Sequence, residues 1–430
     1  MSISSILRGS VVAAVALAIT GCLPRSVQLP SVNLPGEGEG RLAYLAPDGN
    51  VFIANRAGTE TAQVTEDAAV EDGADYRVYG VPVWSPDGEH LAFSVAAGSA
   101  GQNPTINQLL IANRAGDQVR EVYASDTAII FYSWSPSSTH LGVLDQAASG
   151  QTLAMRRVAL AGGEAETLDT GNPFYWSWGM NGDSVLIHTG ALNRRLSILQ
   201  LGQGVRERQI DLDLGVFKAP AVSPDGTRAL VGLRTSETEQ TLVLVDLASG
   251  ATTNLLTYQN EATFAWSPDG RWVTVLDAES GFGTLTMLEP QNPSAAITVA
   301  DQAAAFFWSP DSKRLAYLAL DKFVPEAGAV SGDTQAEAQD APYLMMVDAG
   351  SSESQQVSLW IPSPRWINQI LPYVGVYDQT MTIWSPDSRY LAVPMVVDDQ
   401  GTTAIVVIDP TAGFSGEMVA EGVIVSWSWK

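Results

Sequence analysis

Cysteine, histidine and lysine are all scarce in this chain. One cysteine, Cys22, stands in 430 residues, so no intramolecular disulfide can form and a thiolate-ligated metal cluster is excluded. The three histidines, His90, His140 and His188, leave little for a histidine-based metal centre. Four lysines belong to a set of 23 basic residues facing 47 acidic ones, a formal charge of −24. Such a chain repels phosphates and anionic headgroups, which argues against nucleic-acid binding. A Gly-x-Ser-x-Gly elbow is missing too. The nearest stretch, Gly413-Phe414-Ser415-Gly416, has the wrong spacing, and this excludes a serine hydrolase. What is abundant is 38 Gly and 23 Pro with 12 Trp and 12 Tyr, a mixture that favours turns and aromatic-packed strands.

The N-terminus reads as an export signal. Arg8 is its only charge, Val11–Thr20 is an unbroken apolar or small run, and Ile19-Thr20-Gly21-Cys22 closes it. The run is too short to cross a bilayer as a helix. This pattern resembles bacterial lipoprotein signals, which implies cleavage before Cys22 and acyl chains on that residue. Removing residues 1–21 removes Arg8 and takes the charge from −24 to −25. Residues 23–40 form a Pro/Gly tether that reaches at most about 60 Å and averages about 25 Å. The expected division is signal peptide 1–21, lipidated cysteine and tether 22–40, and folded part 41–430. The protein is expected to be exported, membrane-anchored, extracytoplasmic and monomeric.

One element recurs through the folded part. Val-Trp-Ser-Pro-Asp-Gly-Glu-His-Leu-Ala-Phe occupies Val83–Phe93, and close copies begin at Ala265, Phe307 and Ile383. Degenerate copies run Ser133–Val143, Ser177–Ile187 and Ala221–Val231, and an eighth starts at Ser426-Trp427-Ser428. The repeated indoles are Trp84, Trp134, Trp178, Trp266, Trp308, Trp384 and Trp427, with Val222 in the remaining copy. Most intervals are near 44 residues, the length of one four-stranded propeller blade. Ser-Pro-Asp-Gly is a type I turn sequence, and the segments on either side read as strands. The tryptophans read as inter-blade packing. Residues 41–66 supply strands without a Trp-Ser strand before them, and 423–430 supply that strand, so one blade is expected to be shared between both segments. The expected fold class is all-β: a single propeller of about eight four-stranded blades, closed by N- and C-terminal strands.

By these residues the repeat resembles the WD-like repeats of TolB-type propellers and of the propeller domain in dipeptidyl peptidase IV relatives. The resemblance covers essentially 41–430 and implies the fold. It implies no activity, since such rings serve many functions.

Functional candidates are few. The turn aspartates recur too regularly for catalysis, and His90 and His140 share a blade-edge position just past the turn. The acidic stretch Glu66-Asp67, Glu71-Asp72 and Asp75 lacks the spacing of a calcium loop, so Ca²⁺ is a minor alternative, and neither a metal nor another cofactor is expected. Four long insertions, Glu66–Gly80, Ala97–Asn107, Lys322–Ala341 and Trp360–Gln379, all fall on the face opposite the short turns. The last is the most aromatic, and its Trp360, Arg365, Trp366, Tyr373 and Tyr377 are of the types that anchor interfaces. Two readings follow for it: surface anchors for a protein or peptide partner, or a segment folded back over the ring. The expected function is a non-catalytic envelope scaffold that binds a protein or peptide through the loop-rich face. The alternatives are a carbohydrate-binding or carbohydrate-active propeller and an envelope-assembly lipoprotein.

Overall fold

The Ser-Pro-Asp-Gly element organises the chain locally. In the copy at Trp84, the Ser85 hydroxyl donates to Asp87 Oδ1 (2.5 Å) and accepts from the His90 N–H (3.0 Å). Gly88 sits at φ +74°, a backbone state that costs glycine nothing. The same Ser-to-Asp bond recurs at Ser223, Ser267, Ser309 and Ser385, between 2.5 and 2.7 Å. Each turn thereby fixes the register of the hairpin it joins.

The computed structural model describes residues 40–430, apart from 70–74, 148–149, 191–193, 203, 216–217, 280, 324–338, 378–379 and 413–415. The signal, Cys22 and the tether to residue 39 lie outside the described residues, as do Glu71 and Asp72 and most of the 322–341 insertion.

Strands follow one another as antiparallel meanders. Phe131–Trp134, His140–Gln146, Leu153–Ala159 and Glu166–Gly171 form one four-stranded sheet in chain order. Phe174–Trp178 begins the next, Ala221–Val222 another, and Glu261–Trp266 a larger one of seven strands. In that larger sheet the 12-residue strand Ile297–Trp308 ends one meander and starts the following one. Leu391–Val396, Thr403–Ile408 and Gly416–Glu421 form a three-stranded sheet, to which Trp384 is bridged at Leu391. Leu42–Leu45 pairs with Val51–Ala54 on one side and with Ile424–Trp427 on the other, in register Leu42↔Trp427 to Leu45↔Ile424.

The first strands of the meanders pack against one another. Phe174–Trp178 meets Ala221–Val222, which meets Glu261–Trp266, while Ile424–Trp427 meets Val83–Trp84. Consecutive meanders packed through their first strands are the architecture of a β-propeller, as the repeat implied.

Two of the expected insertions are shorter than the sequence suggested. Asp75–Tyr79 is a strand paired with His90–Ser99, and that strand and Ile106–Asn113 take in five of the eleven residues of 97–107. Their residues extend an existing hairpin, because continuing its ladder satisfies backbone groups that a loop would leave to water.

The repeated tryptophans join neighbouring sheets. Trp134 Nε1 donates to Val83 O (3.1 Å), Trp266 to Ala221 O (3.0 Å) and Trp384 to Phe307 O (2.9 Å). In each case the acceptor belongs to the residue just before the tryptophan position of the preceding repeat. The side chain two residues past the turn then lies over the next indole: Arg228 over Trp266 (5.5 Å), Arg314 over Trp384 (5.1 Å), and the His90 ring 6.2 Å from that of Trp134. Trp308 and Trp427 are buried with their indole N–H unpaired among the described residues.

Three copies carry serine where the turn prefers glycine. Ser138, Ser312 and Ser388 are held at φ +59° to +60°, a left-handed backbone that costs a side chain about 1–2 kcal/mol. Each accepts, through Oγ, the N–H of the preceding repeat's turn: Asp87 to Ser138 (3.0 Å), Asp269 to Ser312 (2.9 Å) and Asp311 to Ser388 (3.0 Å). The copies with serine at this position therefore carry an extra bond between neighbouring repeats.

Candidate functional site

The first strand of each meander runs from one end of the molecule to the other, and its two ends differ. At the ends where these strands begin lies the aromatic insertion. A short helix, α1 (Pro364–Gln369), is capped by Ser363, whose Oγ accepts from the Trp366 N–H (3.1 Å), and Pro364 opens its first turn. The turn Leu371–Tyr373 and a second helix, α2 (Val374–Tyr377), complete the segment.

This segment is tied to strands far apart in sequence. Trp360 N–H donates to Pro342 O (2.9 Å) and its Nε1 to Pro394 O (3.1 Å). Ser363 Oγ donates to Val423 O (2.5 Å), and Arg365 Nη2 to Tyr79 O (2.9 Å). Helix α2 packs on Glu261–Trp266, and Gly375 lies so close to Thr263 that a Cβ there would sit 2.6 Å from its Cγ2. The Tyr175 phenol is pushed above its ordinary range by burial first, and then by nearby Tyr373 and Glu261. One stretch of chain thus touches most of the sheets and covers the ends of their first strands.

Burial of this loop supports its folded-back reading. Trp360 and Trp366 are 0% exposed, their rings 5.0 Å apart within the main core cluster beside Ile367, Ile370 and Leu371. Arg365 is half-buried, and burial lowers its guanidinium from the ordinary value. Tyr373 is exposed, at 43%, and the Tyr377 side chain lies outside what is described. Composition suited either reading. The segment is buried because its apolar side chains find the otherwise uncovered strand ends.

At the opposite end, beside the Ser-Pro-Asp-Gly turns, the same first strands surround a cavity of about 410 Å³. Its wall holds six tryptophans, Trp84, Trp134, Trp176, Trp178, Trp266 and Trp429, together with Phe131. Pro86, Pro136, Met180 and Pro224 come from the turns, and Met180 is half exposed. The remaining lining is small: Ser133, Ser177, Ser223, Thr380, three aliphatic residues and nothing ionisable. Ser133 Oγ accepts from both Trp176 Nε1 and Trp178 Nε1 at 3.1 Å.

The repeat pattern identified Trp84, Trp134, Trp178 and Trp266 as inter-sheet packing, and they also converge on this cavity. Phe131, Trp176 and Trp429 were not singled out from the sequence. They break the repeat as additional aromatics next to a repeated tryptophan, and that excess was the available signal.

Several ionisable groups elsewhere are structurally engaged. His188 is buried with Nδ1 2.9 Å from Lys218 O, and burial lowers its pKa. His140 Nδ1 meets Thr139 Oγ1 at 2.9 Å. In the acidic stretch, Asp67 is held by Arg77 (3.1 Å) and the Tyr79 hydroxyl (2.5 Å), and Asp75 by Ser99 (2.8 Å). Asp145, 1% exposed, receives Arg156 Nε (3.1 Å), the Ser125 hydroxyl (3.0 Å) and the Tyr123 hydroxyl. Among the described residues no group of three or more His, Cys, Asp or Glu could hold a metal, and no helix is long and apolar enough to cross a membrane.

No family model matches the chain, and no curated protein does. Solved structures do resemble it. TolB from Acinetobacter baumannii is 15% identical over 63% of this chain and 66% of that chain, with a TM-score of 0.40. An oligogalacturonate lyase in complex with manganese is 12% identical over 90% and 86%, with a TM-score of 0.46. The β-propeller domain of the Trilobed protease from Pyrococcus furiosus is 14% identical over 71% and 88%, with a TM-score of 0.44. Each is a likeness of fold, and no site residue is carried over from it.

Proposed function

We propose that the protein is a lipid-anchored, non-catalytic propeller scaffold of the cell envelope that holds its ligand in the tryptophan cavity. The observation that carries this reading is the cavity wall: eighteen residues, six of them tryptophan, and no ionisable side chain. A wall of this kind offers contact surface, the common makeup of a binding pocket, and no acid, base or charged stabiliser for turnover. The reading moves ligand binding from the loop-rich end to the turn end, because the loop-rich end is covered by the chain's own α1 segment.

The same proposal takes the ring as eight blades. Counting Ile297–Trp308 in two meanders supports that number, and the pairing of Ile424–Trp427 with Leu42–Leu45 supports closure of the ring. Acylation of Cys22 would attach the anchor through the tether, which joins the fold at Gly40 beside the Pro386 turn, so the cavity end is the end nearest the anchor. A carbohydrate ligand is the less supported alternative, since a sugar needs polar partners for its hydroxyls.

Photocrosslinking in native membranes tests the reading, with the reactive group placed at Met180 beside the cavity and, separately, at Tyr373 on the plug. A defined adduct from Met180 that disappears with Trp178→Leu is the expected result. Adducts from Tyr373 alone would return binding to the loop-rich end and overturn the assignment.

A further inference from the structure

Much of the hydrogen-bonding capacity of the cavity is used by its own wall. The indole N–H groups of Trp134, Trp176, Trp178 and Trp266 all donate to protein acceptors. Trp84 N–H has no acceptor among the described residues but is sealed within the wall, with the residue 1% exposed. The four hydroxyls are engaged as well. Ser133 accepts two indoles, Ser177 accepts the Val222 N–H, Ser223 bridges Asp225 and the Arg228 N–H, and Thr380 has a partner. A ligand therefore meets ring carbon and π surface, with few groups to replace hydrogen bonds it gave up in water.

Two classes of ligand tolerate such a wall: an apolar body, or a cation that makes no hydrogen bonds. Charge decides between them. The chain carries −24 overall, and turn aspartates Asp87, Asp225 and Asp269 follow Pro86, Pro224 and Pro268 in repeats that line the cavity. That field attracts cations and repels anions, and aromatic rings attract a desolvated cation through their quadrupoles. Resting on the binding reading above, we infer that the cavity is an aromatic cage for a quaternary, trimethylammonium-type group. Such a group, unlike a primary amine or a sugar, loses no hydrogen bonds on entering.

The test uses the full chain in detergent, with tryptophan fluorescence or calorimetry as readout and choline and tetramethylammonium as probes. Saturable binding of both is expected, with the neutral isostere 3,3-dimethylbutanol at least about tenfold weaker. Trp178→Leu should reduce choline binding at least about tenfold and Trp178→Phe should retain most of it. Tighter binding of dihexanoyl phosphatidylcholine than of choline would identify a lipid headgroup as the source, and the reverse a free cation. Equal binding of the isostere would overturn the ammonium assignment while leaving the cavity as the site. If no probe binds but the Trp178-dependent crosslink at Met180 persists, the ammonium assignment falls and the binding reading stands. Loss of both removes both.

Discussion

The two ends of this propeller are both rich in tryptophan, and the same residue type does opposite things at each. At the loop-rich end Trp360 and Trp366 are fully buried against each other and hold a helical plug over the strand ends. At the turn end six tryptophans stand around a cavity, and Trp178 and Trp429 retain partial exposure. The difference lies in what faces the ring. The plug's indoles meet apolar side chains from several sheets, so burial is complete. Four of the cavity's indoles are fixed by their N–H groups to neighbouring strands and serines, and of the six rings only Trp178 and Trp429 keep partial exposure toward the opening.

The comparison breaks most visibly at the plug. Trp366→Ala should lower unfolding stability by about 3–5 kcal/mol, the range for a large aromatic removed from a core. Trp178→Leu should cost about 1–2 kcal/mol, since it loses one hydrogen bond and little buried surface. Denaturant melts that rank the two the other way would mean that the plug is a loose cover.

A smaller effect sharpens the role of the irregular turns. Ser388→Ala removes the acceptor for the Asp311 N–H while keeping a side chain at φ +59°, and should cost about 1–2 kcal/mol. Ser388→Gly loses the same bond but relieves the backbone, so thermal melts should place it between Ala and the parent. A Gly variant as unstable as Ala would show that backbone conformation contributes nothing there.

The smallest effect concerns acid. The Asp225 carboxyl is held below its ordinary range by the Ser223 hydroxyl first, with Thr227 and Arg228 adding to it. A carboxyl depressed on folding stabilises the fold above its unfolded pKa, and that contribution is lost as pH falls through the folded value. The stability gap between parent and Asp225→Asn should therefore narrow as pH drops below the ordinary carboxylate range. A gap that stays constant into that range would remove the charge of Asp225 from the account.

Much of the fold was legible because the repeat reports local physics. The Ser-Pro-Asp element specifies its own turn through a Ser–Asp bond within two residues, and that bond recurs in five of the repeats. The position past the turn was legible as structural, and His90 and Arg228 do lie over the next indole. The role of serine in place of glycine was not legible. Its reason lies in the neighbouring repeat, about 40 to 80 residues back in the chain, where the bonded N–H sits.

The candidate site was harder to see. The insertion at 360–377 was identified as the most aromatic loop, yet its composition suits a surface anchor and a plug equally. Only the placement of Tyr79, Pro342, Pro394 and Val423 around it decides for the plug. The sequence by itself determined the repeating turn, the meanders and the indole positions, because each depends on contacts within a few residues or on a strict period. The tertiary structure alone decided which end is covered and which end opens, because burial and cavities arise where residues far apart in the chain converge.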